Sequence, residues 1–357
     1  MVQEQVEKRD LLLKLIGISG EFPVEMAGTA VGSKTYAAYL ATQMKKEGYI
    51  SVRKKDGIRG YTLKAKGRRE LLCRYPGDFS LYLEGPAETS HVKSEPQKRL
   101  RLHRMSMAWI FCYRMGLRMF LTEKPRFPPA FEREANNPAY YGAAEFKGSS
   151  DRIKGSRACG LLICGQQIFV VYHSMNRRMK WAKKMERSMR SFAEGVLIEQ
   201  GFIHGTDALM IGNTMDLMPE LLESDGGLKG ELFQIDDVYE RYYYFSMADV
   251  SRVQFRLITD REAGGRFREF LCQMLKKRED KEYSLYAGFD KNGNPVYFCY
   301  ELELRELMRV RQEMEWKGTG KVVCLDFQAD ALRTYFGKGV QILTVSSEKV
   351  QQYMESG

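Results

Sequence analysis

The sequence is poor in histidine and has no long apolar run, and both absences limit what the protein can be. Only four histidines occur in 357 residues, and none stands close to another: His91, His103, His173 and His204. A metal site or catalytic triad built on clustered histidines therefore has little material. No run approaches the roughly 18–20 apolar residues that span a bilayer. Since the N-terminus is polar and unlike a signal peptide, we expect a cytoplasmic protein without a membrane partner.

Motifs for cofactor and metal chemistry are also missing. The seven cysteines are scattered, and several interrupt apolar runs such as GLLICG and VVCLDF, which is typical of reduced thiols in a core. Cys159 and Cys164 have no second Cys or His pair nearby, so the spacing does not predict zinc. The glycine-rich nucleotide-binding motifs, H-E-x-x-H and G-x-S-x-G are absent. We expect neither a metal nor a cofactor.

Charge, in contrast, is abundant and unevenly placed. The chain carries a net charge of +10, and residues 51–74 alone hold nine basic residues against two acidic ones. The basic residues are Arg53, Lys54, Lys55, Arg59, Lys64, Lys66, Arg68, Arg69 and Arg74. Such a run is either a solvated basic face or the footprint of a polyanion.

The residues before this basic run predict three helices. The segment 8–18 has leucines and an isoleucine at helical spacing. A short second helix follows Pro23, since proline is favoured in a first turn. Ser33 is a good N-cap for a third helix at about 34–47, and Gly48 is placed to end it.

A β-hairpin is predicted directly after the third helix. Two β-like runs, 49–54 and 60–64, flank Asp56-Gly57, and Asp-Gly between such runs is a strong hairpin signal. Three helices followed by a basic hairpin is the order of a winged helix-turn-helix. We therefore predict a winged helix-turn-helix DNA-binding domain at residues 1–74.

In that fold the third helix enters the major groove of duplex DNA and the hairpin meets the backbone or the minor groove. The inward stripe is predicted to be Ala37, Leu40, Ala41 and Met44. Candidates for contacts with base edges are Lys34, Thr35, Tyr39, Thr42 and Gln43. Candidates for phosphate contacts are Lys45, Lys46, Arg53, Lys54, Lys55 and Arg59, of which Arg59 has the minor groove as an alternative. A winged helix used only for protein contacts is the other interpretation.

The remainder of the chain alternates helical and strand-like segments. Residues 75–100 are rich in proline, glycine and charge and predict a linker. Residues 101–357 predict a mixed α/β domain, with a possible division near 225–235. Near the start of this part, Arg99, Arg101, His103 and Arg104 serve either in packing or in phosphate contacts. The basic segment 177–190 is either a solvated helix face or a second surface for DNA or dimerisation.

One tripeptide raises the question of catalysis. Glu145-Phe146-Lys147 spells E-x-K at a predicted strand, as in the metal-dependent nucleases of the restriction-endonuclease-like fold. The acidic residue that such sites need upstream is not evident, because Glu132 and Glu134 lie in a Pro/Asn-rich segment. An ordinary surface ion pair is the other interpretation of Glu145 and Lys147.

The segment SKTYAAYLATQMKKEGYISVRKKDGIRGYTLKAKGRREL resembles the head of replication-relaxation-type winged-helix proteins, which plasmids and integrative conjugative elements of Gram-positive bacteria encode. PAYYGAAEFKG and GKVVCLDFQADALRTYFG also look like parts of such proteins. The resemblance implies a DNA-binding regulator or accessory factor in replication or transfer of a mobile element, with a nuclease-like second domain. A metal-dependent nuclease and a ligand-sensing transcription factor are the alternatives, and a homodimer is possible.

Overall fold

The computed structural model describes residues 2–84, 93–131, 138–146, 153–203, 205–277 and 284–356, with the side chains of residues 2–6 and 356 left undescribed. Helices and strands are mixed, as predicted. The chain forms two compact units, one of residues 1–173 and 191–204, the other of residues 174–190 and 205–357. The segments after residue 74 pack onto the first helix within the first unit.

The first unit begins with the three predicted helices. Helix α1 (Val2–Ser19) buries Leu12, Leu15 and Ile16 completely. A 3-10 turn (Val24–Met26) leads into the short α2 (Ala27–Val31). Helix α3 (Lys34–Lys46) follows.

A small antiparallel sheet stands beside these helices. Its strands are β1 (Phe22–Pro23), β2 (Ile50–Lys55) and β3 (Ile58–Leu63), in the order β1-β3-β2. Strand β1 was not predicted, because two residues carry no periodic signal. Its pairing with β3 places the segment before α2 against the β2–β3 hairpin.

Three helices follow the hairpin: α4 (Ala65–Arg74), α5 (Pro76–Leu83) and α6 (Pro96–Arg114). The predicted linker at 75–100 thus contains all of α5 and the start of α6. Pro76 and Pro96 each occupy the first turn of a helix, where proline is tolerated. Helix α6 packs against α1, β1 and β3.

The first unit continues with β4 (Ala139–Gly142), α7 (Ala143–Phe146), β5 (Gly160–Cys164) and β6 (Gln167–Met175). The three strands pair in antiparallel order and are almost entirely buried. Helix α8 (Lys183–Ile198) follows in the chain and contributes residues to both units.

The second unit contains a parallel pair of strands, β7 (Thr206–Gly212) and β8 (Tyr242–Ser246). Its helices in this stretch are α9 (Leu217–Leu222), α10 (Ser251–Thr259) and α11 (Arg261–Gln273). Asp260 caps α11, since its Oδ1 accepts the Ala263 N–H at 3.0 Å.

A four-stranded sheet completes the second unit. Its strands are β9 (Gly288–Phe289), β10 (Pro295–Phe298), β11 (Lys321–Leu325) and β12 (Gln341–Val345), in the order β12-β11-β10-β9. Strands β10, β11 and β12 are parallel. The buried β10 and β11 have the apolar composition of strands that are covered on both faces.

Helices connect the parallel strands: α12 (Leu304–Lys317) lies between β10 and β11, and α13 (Ala329–Phe336) between β11 and β12. Helix α14 (Ser347–Ser356) ends the described chain. Asp326, at the end of β11, accepts the backbone N–H of Phe327 and of Ser347. This carboxylate therefore holds two chain segments together. Among the residues described, no helix is long and apolar enough to cross a membrane.

Candidate nucleic-acid interface

Helix α3 presents one buried and one exposed face, as predicted. Ala37, Leu40, Ala41 and Met44 are buried. The proposed DNA-contacting side chains on this helix are all exposed: Lys34, Thr35, Tyr39, Thr42, Gln43, Lys45 and Lys46. Ser33 Oγ accepts the Tyr36 N–H at 3.3 Å, which confirms the N-cap. Gly48 has φ +81°, which L side chains rarely adopt, and it ends the helix as expected.

The exposed face of α3 carries a small network of its own. Tyr39 is 55% exposed, and its ring stacks on that of Tyr36 with centroids 6.2 Å apart. Gln43 Nε2 donates to Tyr39 Oη at 2.8 Å. Thr42 Oγ1 donates to the Ala38 carbonyl oxygen at 2.8 Å, so its hydrogen is used within the helix. Thr42 can therefore offer a partner only its lone pairs and its methyl group.

The predicted hairpin is confirmed, with a two-residue turn. Asp56 and Gly57 have φ values of +51° and +74°, and Lys55 pairs with Ile58 across the turn. Two successive positive φ values are the mark of a type I′ turn, whose twist matches that of the strands.

The register of the hairpin places two cations directly opposite each other. Lys54 of β2 pairs with Arg59 of β3, and both side chains are exposed, as is that of Lys55. Within the described residues these three cations have no acidic partner. Like charges opposite each other in a ladder destabilise it. A bound polyanion would remove this cost.

Arg53 differs from these three cations, contrary to its assignment to the phosphate-contacting set. Successive strand residues face opposite sides of the sheet, so Arg53 lies on the face opposite to that of Lys54 and Arg59, where it pairs with Gly60. Its Nη1 donates to the Lys93 carbonyl oxygen and lies 3.7 Å from Glu21 Oε2. Arg53 is thus engaged within the protein. Strand alternation alone could have separated it from Lys54.

Behind the hairpin lies a buried ionic cluster that sequence reasoning missed. Glu21 is 2% exposed and Arg99 of α6 is fully buried. Arg99 Nε donates to Glu21 Oε2 at 2.9 Å, and Nη2 donates to Oε1 at 2.5 Å. His103 Nε2 is 3.3 Å from the same Oε1. Burial acts to raise the pKa of Glu21, but the hydrogen bonds with His103 and Arg99 and the charge of Arg99 lower it to about 2.

Arg99 also holds the hairpin itself. Its Nη1 donates to the Lys55 carbonyl oxygen at 2.7 Å, and Nη2 donates to that of Ile58 at 3.2 Å. These two carbonyls flank the turn. Arg99 and His103 therefore have the packing role foreseen as one alternative, and their side chains are not placed for phosphate contacts. No local signal marks this pairing, because 78 residues separate Glu21 from Arg99.

Glu145, the candidate catalytic carboxylate, lies elsewhere in the first unit, and its side chain is 3% exposed. It is in α7, not in the strand that was predicted, and Lys147, Glu132 and Glu134 lie outside the described residues. Lys124 Nζ lies 2.9 Å from its Oε1 and 2.9 Å from its Oε2. Oε1 also accepts the Gly142 N–H at 2.7 Å and the Tyr82 hydroxyl at 3.1 Å.

Burial shifts the pKa values of Glu145 and Lys124 in opposite directions. Burial raises the pKa of Glu145 against the opposing effect of Lys124, and burial likewise lowers the pKa of Lys124. Lys124 Nζ donates in addition to the Tyr140 carbonyl oxygen. In the part of the chain that the structure describes, no group of three or more His, Cys, Asp or Glu is placed to hold a metal ion. Groups of the protein itself thus provide the hydrogen-bond partners of the Glu145 carboxylate.

Four of the seven basic residues in the second basic segment, 177–190, lie beside acids. Lys183 and Arg187 lie 2.5 and 2.7 Å from the two carboxylate oxygens of Asp237. Lys180 lies 3.6 Å from Glu231, Arg178 lies 3.7 Å from Asp225, and Arg190 donates to the Val238 carbonyl oxygen at 2.8 Å. The hydrogen bond from Lys183 is the main cause that lowers the pKa of Asp237. This arrangement favours the interpretation as a solvated helix face.

Comparison with known proteins gives no relative from which a function could be transferred. No family model matches the chain, and neither a curated protein nor a solved structure matches it significantly.

Proposed function

We propose that this chain is a sequence-specific double-stranded DNA-binding protein that acts through a winged helix-turn-helix at residues 1–74. In this proposal α3 lies in the major groove and the β2–β3 hairpin is the wing. The protein would be a non-enzymatic regulator or accessory factor in replication or transfer of a mobile element, as the sequence resemblance implies.

The observation that carries the proposal is the pair Lys54 and Arg59. The two cations are opposed across the hairpin, exposed, and without an acid to neutralise them within the described residues. Their mutual repulsion is a cost in the free protein. Phosphates spaced along a duplex would convert that cost into binding free energy through counterion release. The exposed face of α3, with its polar and aromatic side chains, supplies the groups that distinguish base pairs.

The experiment is a binding titration of the full chain with labelled duplex DNA over a series of salt concentrations. We expect log Kobs to fall linearly with log salt, with a slope of about −0.9 for each phosphate contact. Selection from random duplexes should then enrich one site. If the protein is a homodimer, the site should contain two half-sites about one helical turn apart. A chain that binds no duplex at low salt would refute the proposal.

The nuclease alternative, based on Glu145 and Lys147, gains nothing from the geometry of Glu145. Its carboxylate is enclosed by Lys124, Tyr82 and the Gly142 N–H. Prolonged incubation of a plasmid with the chain and Mg²⁺ or Mn²⁺ tests this alternative directly. Cleavage that is lost in Glu145→Ala would establish it in place of the non-enzymatic role.

A further inference from the structure

The hydrogen bond between Gln43 and Tyr39 fixes which groups α3 offers to a partner. Gln43 Nε2 donates one hydrogen to Tyr39 Oη at 2.8 Å. The Tyr39 ring is held in turn by its stacking on Tyr36, at an interplanar angle of 20°. The Gln43 amide is therefore oriented before any partner arrives.

After this bond is made, Gln43 keeps one N–H donor and the Oε1 acceptor. A primary amide has two donors and one acceptor oxygen, and only one donor is used here. The side chain is exposed on α3. It thus presents an adjacent acceptor and donor, in fixed orientation, on the face assigned to the major groove.

Only one base offers the complementary pair in that groove. Adenine has the N6 amino donor beside the N7 acceptor, whereas guanine shows two acceptors and cytosine a single donor. Facing guanine, Oε1 of Gln43 would meet the O6 acceptor and lose its hydrogen bond. The amide geometry therefore selects an A·T pair.

We infer that Gln43 recognises adenine in an A·T pair through N6 and N7, and that Tyr39 is the positioning residue that orients its amide. This inference rests on the proposed DNA-binding function. Tyr39 acts through Gln43, so its hydroxyl affects the choice of base more than the attraction to phosphates.

The test begins with the full chain and the duplex selected from random sequences. Each adenine of that site is replaced in turn by 7-deazaadenine, which lacks the N7 acceptor. Since the N6 contact remains, we expect one position at which the replacement weakens binding by about 2- to 13-fold, the range of a single hydrogen bond. Gln43→Ala should bind the two duplexes equally, because the contact is already absent.

Tyr39→Phe keeps the ring and its stacking but removes the hydroxyl. It should reduce the discrimination between A·T and G·C at that same position. Tyr36→Phe is the matched control, since the Tyr36 hydroxyl is buried and makes no hydrogen bond; this variant should keep the wild-type discrimination.

Three results would overturn the inference while leaving DNA binding intact. These are a site without any sensitivity to 7-deazaadenine, a Gln43→Ala variant that retains the sensitivity, or a Tyr39→Phe variant that discriminates as the wild type does. A chain that binds no duplex would remove the proposed function and this inference together. The two failures are therefore distinguishable.

Discussion

Two stretches of the chain are similarly rich in basic residues, yet the fold treats them differently. Residues 51–74 place Lys54, Lys55 and Arg59 on an exposed hairpin, and among the described residues none of the three forms an ion pair with an acid. Residues 177–190 lie against acids that arrive some fifty residues later, above all Asp237. Basic composition alone therefore does not identify a polyanion site. The position of the acids in the tertiary structure decides whether positive charge remains available to a partner.

The largest expected effect comes from breaking the buried ion pair of Glu21 and Arg99 behind the hairpin. Arg99→Met removes the partner of buried Glu21 and the donors to the Lys55 and Ile58 carbonyls. Because buried Glu21 then keeps only His103 and the more distant Arg53 as partners, we expect the free energy of unfolding to fall by about 3 kcal/mol, measured by urea denaturation. The control is the double variant Glu21→Gln with Arg99→Met, which should regain part of the loss. Equal stability of the single and double variants would contradict the role of the ion pair.

Low pH should weaken the same buried ion pair of Glu21 and Arg99. The pKa of Glu21 is about 2, below its ordinary value of 4.5, so the ionised form is stabilised by folding. This contribution is fully present above about pH 4.5 and is lost as the pH falls toward 2. Since each pKa unit corresponds to about 1.4 kcal/mol, the loss amounts to about 3 kcal/mol. Denaturation curves across this range should show it in the wild type and not in Glu21→Gln.

The comparison of the two basic stretches can be tested with matched triple variants. Replacing Lys54, Lys55 and Arg59 by glutamine should reduce the salt slope of DNA binding by about two to three units. At physiological salt this corresponds to roughly a hundredfold weaker binding. Replacing Lys180, Lys183 and Arg187 by glutamine, all three of which lie beside acids, is the control of equal charge and should leave the slope as it is. Equal effects of the two triples would show that ion pairing does not distinguish the stretches.

The smallest expected effect comes from a variant that frees cations of residues 177–190, so that this stretch resembles residues 51–74. Asp237→Asn removes the carboxylate that lies between Lys183 and Arg187. If pairing is what withholds these cations, the variant should bind random duplex DNA a few-fold more tightly at low salt, with a slightly steeper salt slope. Glu262→Gln, which removes an exposed acid paired with Arg266, is a control for the change in net charge. An unchanged affinity of Asp237→Asn would show that the ion pairs with Asp237 do not withhold Lys183 and Arg187 from DNA.

Local signals in the sequence predicted much of the first 72 residues correctly. Ser33 as a cap, the buried stripe of α3, Gly48 and the Asp56-Gly57 turn all depend on neighbours within a few residues. Such features are specified by backbone preference and helical spacing. For the same reason the proposed base-contacting residues of α3 were found on its exposed face.

Other features depend on distant partners or on context that a local pattern does not contain. Strand β1 is two residues long and exists only through its pairing with β3. The cluster of Glu21 and Arg99 joins segments far apart in the chain. Pro76 and Pro96 suggested a linker because proline both interrupts a helix and begins one. Glu145 was assigned to a strand because its apolar neighbours fit a buried strand and a short buried helix equally well.

Gly60 has a consequence for how firmly the hairpin is aligned. A Cβ atom at this position would lie 2.4 Å from Glu21 Cγ. Any side chain at position 60 would therefore clash with Glu21 where it binds Arg99. A slip of β3 by one residue would bring Arg59 or Tyr61 over that carboxylate and turn every side chain of the strand to the opposite face. The absence of a Cβ atom at Gly60 therefore favours the observed register of β3 against β2. That register in turn places Lys54 and Arg59 on the exposed face of the hairpin.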